Sequence, residues 1–111
     1  MTSIIILDEA VITGSDARRV AEHGLAHGIN IKIAKSGIME SAAILAIAKK
    51  HGLKLMIGCM TETMIGMSAA IYLAAGSDTF DYIDLDGIFL LYHKNRFRDI
   101  SIQGTCFIIE Q

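Results

Sequence analysis

Four groups of polar residues in this chain have the types needed for proton transfer beside a carboxylate. Asp8 and Glu9 follow the apolar run Ser3–Leu7. Lys32 and Lys35 lie in the stretch Ile29–Lys35. Cys59, Met60, Thr61 and Glu62 follow Leu53–Ile57, and Asp84 and Asp86 straddle the end of Phe80–Leu85. Asp8 reads either as an oxygen ligand for a hard cation such as Mg²⁺ or as a capping group in a turn. Lys32 is an acid/base if burial depresses its pKa; otherwise it is a strand-end lysine reaching water along its aliphatic stem. Asp84 and Asp86, two apart on a strand, point to one face and repel unless a metal, a lysine or a substrate ammonium sits between them. Asp86-Gly87 is equally a turn dipeptide. Gathered at one mouth, these groups suit proton abstraction next to a carboxylate. The cation would hold the enediolate, the lysine would move the proton and the acid pair would fix the far end of the substrate.

The elements that must position them follow from hydrophobic period. Ile29, Ile31 and Ile33 alternate with Asn30, Lys32 and Ala34, the period of a strand, and β-branched residues suit its pleat. Ser3–Leu7 is a short continuous apolar run, expected as a strand covered on both faces. Thr13-Gly14-Ser15-Asp16 supplies N-cap candidates for a helix carrying Ala17, Val20, Ala21 and Leu25, which Gly28 is expected to close. Ser36-Gly37 turns the chain into a second helix, Met39–His51, which Gly52 stops. Leu53–Ile57 is a third strand, Met64–Ala75 a third helix ended by Gly76, and Phe80–Leu85 a fourth strand. Ile88–Tyr92 continues as an apolar segment. The polar loop His93–Arg98 follows, then a hairpin of Ile100–Ile102 and Cys106–Ile109 around Gln103-Gly104-Thr105.

The order β-α-β-α-β-α-β implies parallel strands with right-handed crossovers. Ligands in such sheets bind at the carboxyl ends of the strands, where all four polar groups fall. Two folds share this order: a barrel segment with sequential strand neighbours, and a small doubly wound, flavodoxin-like module with a central switch point.

The chain has 111 residues, enough for one modest core; it is 52% hydrophobic and 6% aromatic, so that core is aliphatic. A net charge of −2 with no basic block gives nucleic-acid binding no electrostatic support. No apolar run is long enough to span a bilayer. Cys59 and Cys106 have no metal-ligand or paired spacing and no signal-peptide pattern is present, which places the chain in the cytoplasm. His23, His27, His51 and His93 have no convincing ligand spacing.

Several motifs in order resemble the enolase superfamily, in its muconate-cycloisomerase-like branch. Asp8-Glu9-Ala10, Asp16-Ala17, Asn30-Ile31-Lys32 and Lys35-Ser36-Gly37 look like its fifth and sixth barrel strands. Met56–Glu62 resembles its seventh-strand loop, and Tyr82-Ile83-Asp84-Leu85-Asp86-Gly87 is similar to the eighth-strand D-x-D motif of its dipeptide epimerases. The spacing between Asp8 and Lys32 matches that between the last metal carboxylate and the acid/base lysine. Ala10 and Ile38 depart from the family's usual Ser and second Gly. The resemblance implies a partial TIM-type barrel, the last four strands of a (β/α)7β barrel over residues 1–92, with a C-terminal tail and hairpin over 93–111. It implies Asp8 as an Mg²⁺ ligand and Lys32 as the acid/base on one face of the α-carbon. Cys59 and Met60 would line the substrate pocket, and Asp84 and Asp86 would hold a dipeptide's ammonium. The implied reaction is epimerisation of the C-terminal residue of a dipeptide. The opposing lysine and two further metal carboxylates are absent, so the chain is expected to be inactive alone. Its open edges imply a homo-oligomer or a complementing N-terminal half. The alternatives are a non-catalytic α/β binding module and a vestigial self-associating fragment.

Overall fold

The computed structural model describes residues 3–60, 64–86, 96–97, 100–103 and 106–109. Strands and helices alternate: β1 Ile6–Leu7, α1 Gly14–His23, β2 Gly28–Ile31, α2 Ile33–Lys50, β3 Lys54–Ile57, α3 Met64–Ser77 and β4 Tyr82–Ile83. Three antiparallel strands follow, β5 Arg96–Phe97, β6 Ile100–Gln103 and β7 Cys106–Ile109. The first four strands form one parallel sheet in the order β1-β2-β3-β4. Its strands are sequential neighbours with no crossover past the centre, so the sheet is a barrel segment and not the doubly wound alternative. Parallel register sets Ile29 beside Leu55 and Met56 beside Tyr82.

Alternation along β2 divides the sheet into two faces. Ile29 and Ile31 turn to the helices and join Val11, Ala17, Val20, Ile44, Ala48 and Leu55 in one core cluster. Ile57 turns the same way into a second cluster with Met67, Ala70, Ile71, Leu85 and Ile100, against which Phe107 and Ile109 of β7 also pack. Asn30 and Lys32 are left for the opposite face and the strand end. Thr13 caps α1 through a capping box with Asp16, as its position before the apolar repeat implies.

Several boundaries differ from the expectation. The sequence pattern extends the second strand to Lys35, yet β2 stops at Ile31 and Lys32 is the N-cap of α2. The amides of Lys35 and Ser36 both bond to Lys32 O, folding the chain back on itself before Gly37 (φ 76°) breaks the helical path. The turn expected at Ser36-Gly37 is therefore present, one helical turn into α2. Gly24, not Gly28, closes α1, with φ of 60° in the left-handed region. Gly28 instead opens β2, where a Cβ would lie 2.6 Å from Lys54 O. The third helix runs through Gly76 to Ser77, and Asp78, at φ 50°, makes the turn. The first strand is only Ile6–Leu7, and Ile4 and Ile5 are half exposed and not covered on both faces. β6 and β7 form the expected hairpin. Met1-Thr2, Thr61 to Thr63, Ile88–Tyr92, His93 to Asn95, Arg98 and Gly104-Thr105 lie outside the described residues.

Candidate active site

The carboxyl ends of β1 and β2 bring five side chains together. Asp8, directly after β1, meets Lys32, directly after β2, with Oδ2 2.8 Å from Nζ. Glu9 stands further out, 3.7 Å from the same ammonium and largely exposed. Lys35 reaches back from the first turn of α2 and donates to Asp8 Oδ1 (3.2 Å), Asp8 O (2.6 Å) and Asn30 O (3.1 Å). Asn30 Nδ2 donates to Asp8 Oδ2 at 3.1 Å.

Electrostatics follow from this crowding. For Asp8, burial is the largest single influence and works to raise its pKa. Hydrogen bonds from Lys32 and Lys35, with their charges, together outweigh burial and hold the carboxyl below the usual carboxylate range. The hydrogen bond to Asp8 raises Lys32 above its ordinary value against the opposing effect of burial. Of the two readings left open for Lys32, this direction speaks against a lysine with depressed pKa. The nearest charges are carboxylates, so Lys32 is held protonated.

The other expected site residues stand at the same end of the sheet but outside this ion-pair cluster. Cys59, half-buried, and Met60, more exposed, follow β3. Asp84 and Asp86 were expected on a strand, but β4 ends at Ile83. Both are exposed around buried Leu85, which anchors this segment in the second cluster. Among the described residues neither takes part in an ion pair with Lys32 or Lys35. Sequence reasoning set Lys35 at the strand end without a role and left Asn30 as the inner-face neighbour of Lys32. The available signal was the shared face of Asn30 and Lys32. The fold of Lys35 under Asp8 is tertiary and had none. A cavity of about 450 Å³ lies elsewhere, between α3, β4 and β7, lined by Ile71, Ala75, Ile83, Leu85 and Ile109 with Asp78. It shares no residue with the Asp8–Lys32 cluster.

Residues 2–104 match the family model described as enolase C-terminal domain-like. The chain belongs to that family. This enolase C-terminal domain-like chain is 39% identical over 89 residues to the hydrophobic dipeptide epimerase of Citrifermentans bemidjiense, covering 80% of itself and 24% of that protein. It is 39% identical over 99 residues to the L-Ala-D/L-Glu epimerase of Thermotoga maritima, covering 89% of itself and 28% of that protein. Its fold superposes on the substrate-liganded L-Ala-D/L-Glu epimerase of Bacillus subtilis with a TM-score of 0.89 at 31% identity, over 98% of this chain and 31% of that one. The dipeptide epimerase of Enterococcus faecalis V583, complexed with Mg and L-Leu-L-Tyr, gives 0.87 at 33% identity, over 100% of this chain and 32% of that one. The chain thus spans between a quarter and a third of these relatives, and its sheet corresponds to part of an enolase-superfamily TIM barrel.

Magnesium in a relative raises the question of fit here. Hard divalent cations need several oxygen ligands. Asp8 is one carboxylate, and each of its oxygens already accepts from an ammonium group. Among the described residues no group of three His, Cys, Asp or Glu side chains stands where it would hold a metal. The donor set of the described residues by itself does not fit Mg²⁺. No helix among the described residues is long and apolar enough to cross a membrane.

Proposed function

We propose that this chain is the C-terminal segment of a dipeptide epimerase barrel, with residues 1–92 forming barrel and 93–111 a tail. Lys32 is the group that moves a proton at the α-carbon of the dipeptide's C-terminal residue. The observation that carries the reading is the Asp8–Lys32 contact of 2.8 Å at the carboxyl ends of adjacent strands. This is where sheets of this type bind ligands, in a family whose relatives bear dipeptide epimerase names. In the complete barrel Asp8 would be one of several carboxylates that hold the metal, and Lys32, released from that carboxylate, would be the residue free to accept the proton. Cys59 and Met60 line the substrate pocket from the end of β3, and the exposed acids Asp84 and Asp86 receive the dipeptide ammonium. The remaining strands come from a complementing segment or from a second copy of this chain.

The test mixes this chain with the N-terminal portion of the Thermotoga maritima epimerase and follows α-deuterium incorporation into a dipeptide panel in D₂O with Mg²⁺. The mixture is expected to exchange. Lys32→Ala should lower the rate by about 10²–10⁴-fold, the usual worth of a positioned acid/base, and the chain alone should be silent. A reconstituted barrel with no exchange on any dipeptide refutes the reading.

A further inference from the structure

We propose that Asn30 is the positioning residue of this site, spanning from Asp8 after β1 to Gly58 after β3 and fixing which oxygen of Asp8 meets Lys32. The proposal rests on the reading of Asp8 and Lys32 as the reacting end of the site. It starts from a burial anomaly. Asn30 is only 6% exposed, and its Oδ1 meets no donor among the described residues. A buried, unmet acceptor is costly, so an asparagine there needs a reason that an aliphatic residue would not satisfy. That reason is the other end of the amide. Nδ2 donates to Asp8 Oδ2 at 3.1 Å, the same oxygen that meets Lys32 Nζ. An ionised carboxylate only accepts, which settles the amide's orientation: Nδ2 faces Asp8 and Oδ1 faces away.

The second observation is the residue opposite. A Cβ on Gly58 would lie 2.9 Å from both Asn30 Nδ2 and Asn30 Oδ1. Gly58 is not among the glycines with positive φ, so its backbone does not require glycine. Room for the Asn30 amide does. A residue of β2 and one directly after β3 are thus matched to one another, and the match serves Asp8. The two lysines cannot give the same definition. An ammonium is a point charge on a flexible stem and can exchange the oxygens it binds. The planar amide leaves a strand paired on both sides, by β1 and β3, and approaches Asp8 Oδ2 from one fixed direction. With Oδ1 taken by Lys35 and Oδ2 oriented by Asn30, the plane of the carboxylate is set, and Oδ2 is the oxygen presented to Lys32 Nζ.

The experiment uses the full chain at pH 7, with ¹³C and ¹⁵N spectra of the side chains and urea unfolding. Asp8→Ala is expected to shift the Asn30 side-chain amide signal. Asn30→Ala and Gly58→Ala are each expected to shift the Asp8 carboxyl signal, with N30S replacing N30A if the latter does not fold. The Gly58→Ala change should lower the urea midpoint in the wild type and leave it unmoved in the Asn30→Ala background, since the clash partner is gone. If Gly58→Ala alone fails to fold, recovery of the fold in N30A/G58A supports the pairing, and failure of the double variant overturns it. An Asp8 carboxyl signal that ignores both substitutions also overturns it. None of these readouts depends on epimerase activity. A chain with the Asn30 coupling but no exchange when complemented would sink the proposed function alone.

Discussion

Removing the Lys35 ammonium while keeping its stem isolates what holds the site together. In Lys35→Met the aliphatic volume is retained and three hydrogen bonds are lost, to Asp8 Oδ1, Asp8 O and Asn30 O. Hydrogen bonds to charged groups contribute about 1.5–3 kcal/mol each. The sum is not the expected cost. Asp8 keeps Lys32 and some solvent contact, its side chain being 28% exposed, whereas Lys35 itself is only 6% exposed. One to two such bonds is the better measure, a loss of about 2–4 kcal/mol at pH 7. With a urea slope of roughly 1–3 kcal/mol per molar, the midpoint falls by about 0.7–4 M. The pH dependence separates the charge pair from the clamp on the backbone. The folded pKa of Asp8 is depressed, so its contribution to stability is complete above the unfolded value, about 3.9, and is lost as pH falls through the folded one. Lys35→Met removes part of that depression, so the gap between variant and wild type narrows in acid. It does not close, because the bonds to the carbonyls of Asp8 and Asn30 do not titrate. Urea unfolding from pH 2 to 7 reads both quantities. A gap below about 0.5 kcal/mol at pH 7, the range of an indifferent surface substitution, or complete closure in acid refutes the reasoning.

Asp8→Asn should lower the titration midpoint of Lys32, read from its ¹³Cε shift. The raised folded pKa means that the pair's stabilisation is complete below the unfolded lysine value near about 10.4 and is lost as pH rises through the folded one. An unmoved midpoint would show that Asp8 does not set it. Gly28→Ala drives a methyl to 2.6 Å from Lys54 O, a backbone atom that cannot step aside, so a loss of about 1–3 kcal/mol is expected by thermal or urea unfolding. Glu40→Ala removes the carboxylate that accepts from Gly14 N at 2.6 Å at the start of α1, and should cost about 0.5–2 kcal/mol. Thermal unfolding of Glu40→Gln, which keeps an acceptor, should fall between the two.

What the sequence could show depended on where each residue's neighbours come from. The alternation at Ile29 and Ile31, the cap at Thr13 and the chain order of the elements are local facts, and the structure carries them unchanged. The Asp8–Lys32 meeting was also legible, since a parallel sheet with sequential neighbours must put the ends of β1 and β2 side by side. The end of β2 was not. Ile33 and Ala34 continue the alternating pattern, and the return of Lys35 to Asp8 after β1 and to the Asn30 carbonyl of β2 accompanies the turn at Lys32. The sign of the Lys32 shift was not legible for the same reason. Burial alone predicts a depressed lysine, and the acid that reverses it comes from the loop after β1.

The failed expectation for Ser3–Leu7 has a different cause, and it bears on function. Ile29, Ile31 and Ile57 on the central strands are fully buried, whereas Ile5 beside β1 is 52% exposed and Ile83 at the end of β4 is 60% exposed. Burial thus falls from the middle of the sheet to both of its edges. The apolar pattern at these edges matches a covered strand, and nothing among the described residues covers it. A chain spanning between a quarter and a third of its relatives' length should look like this, since the strands that flank β1 and β4 in a closed barrel belong to the remainder. Edges that are apolar, parallel and unpaired would be an aggregation hazard in a finished domain. Under the proposed function they are the surfaces that a completing segment or a second copy would bury.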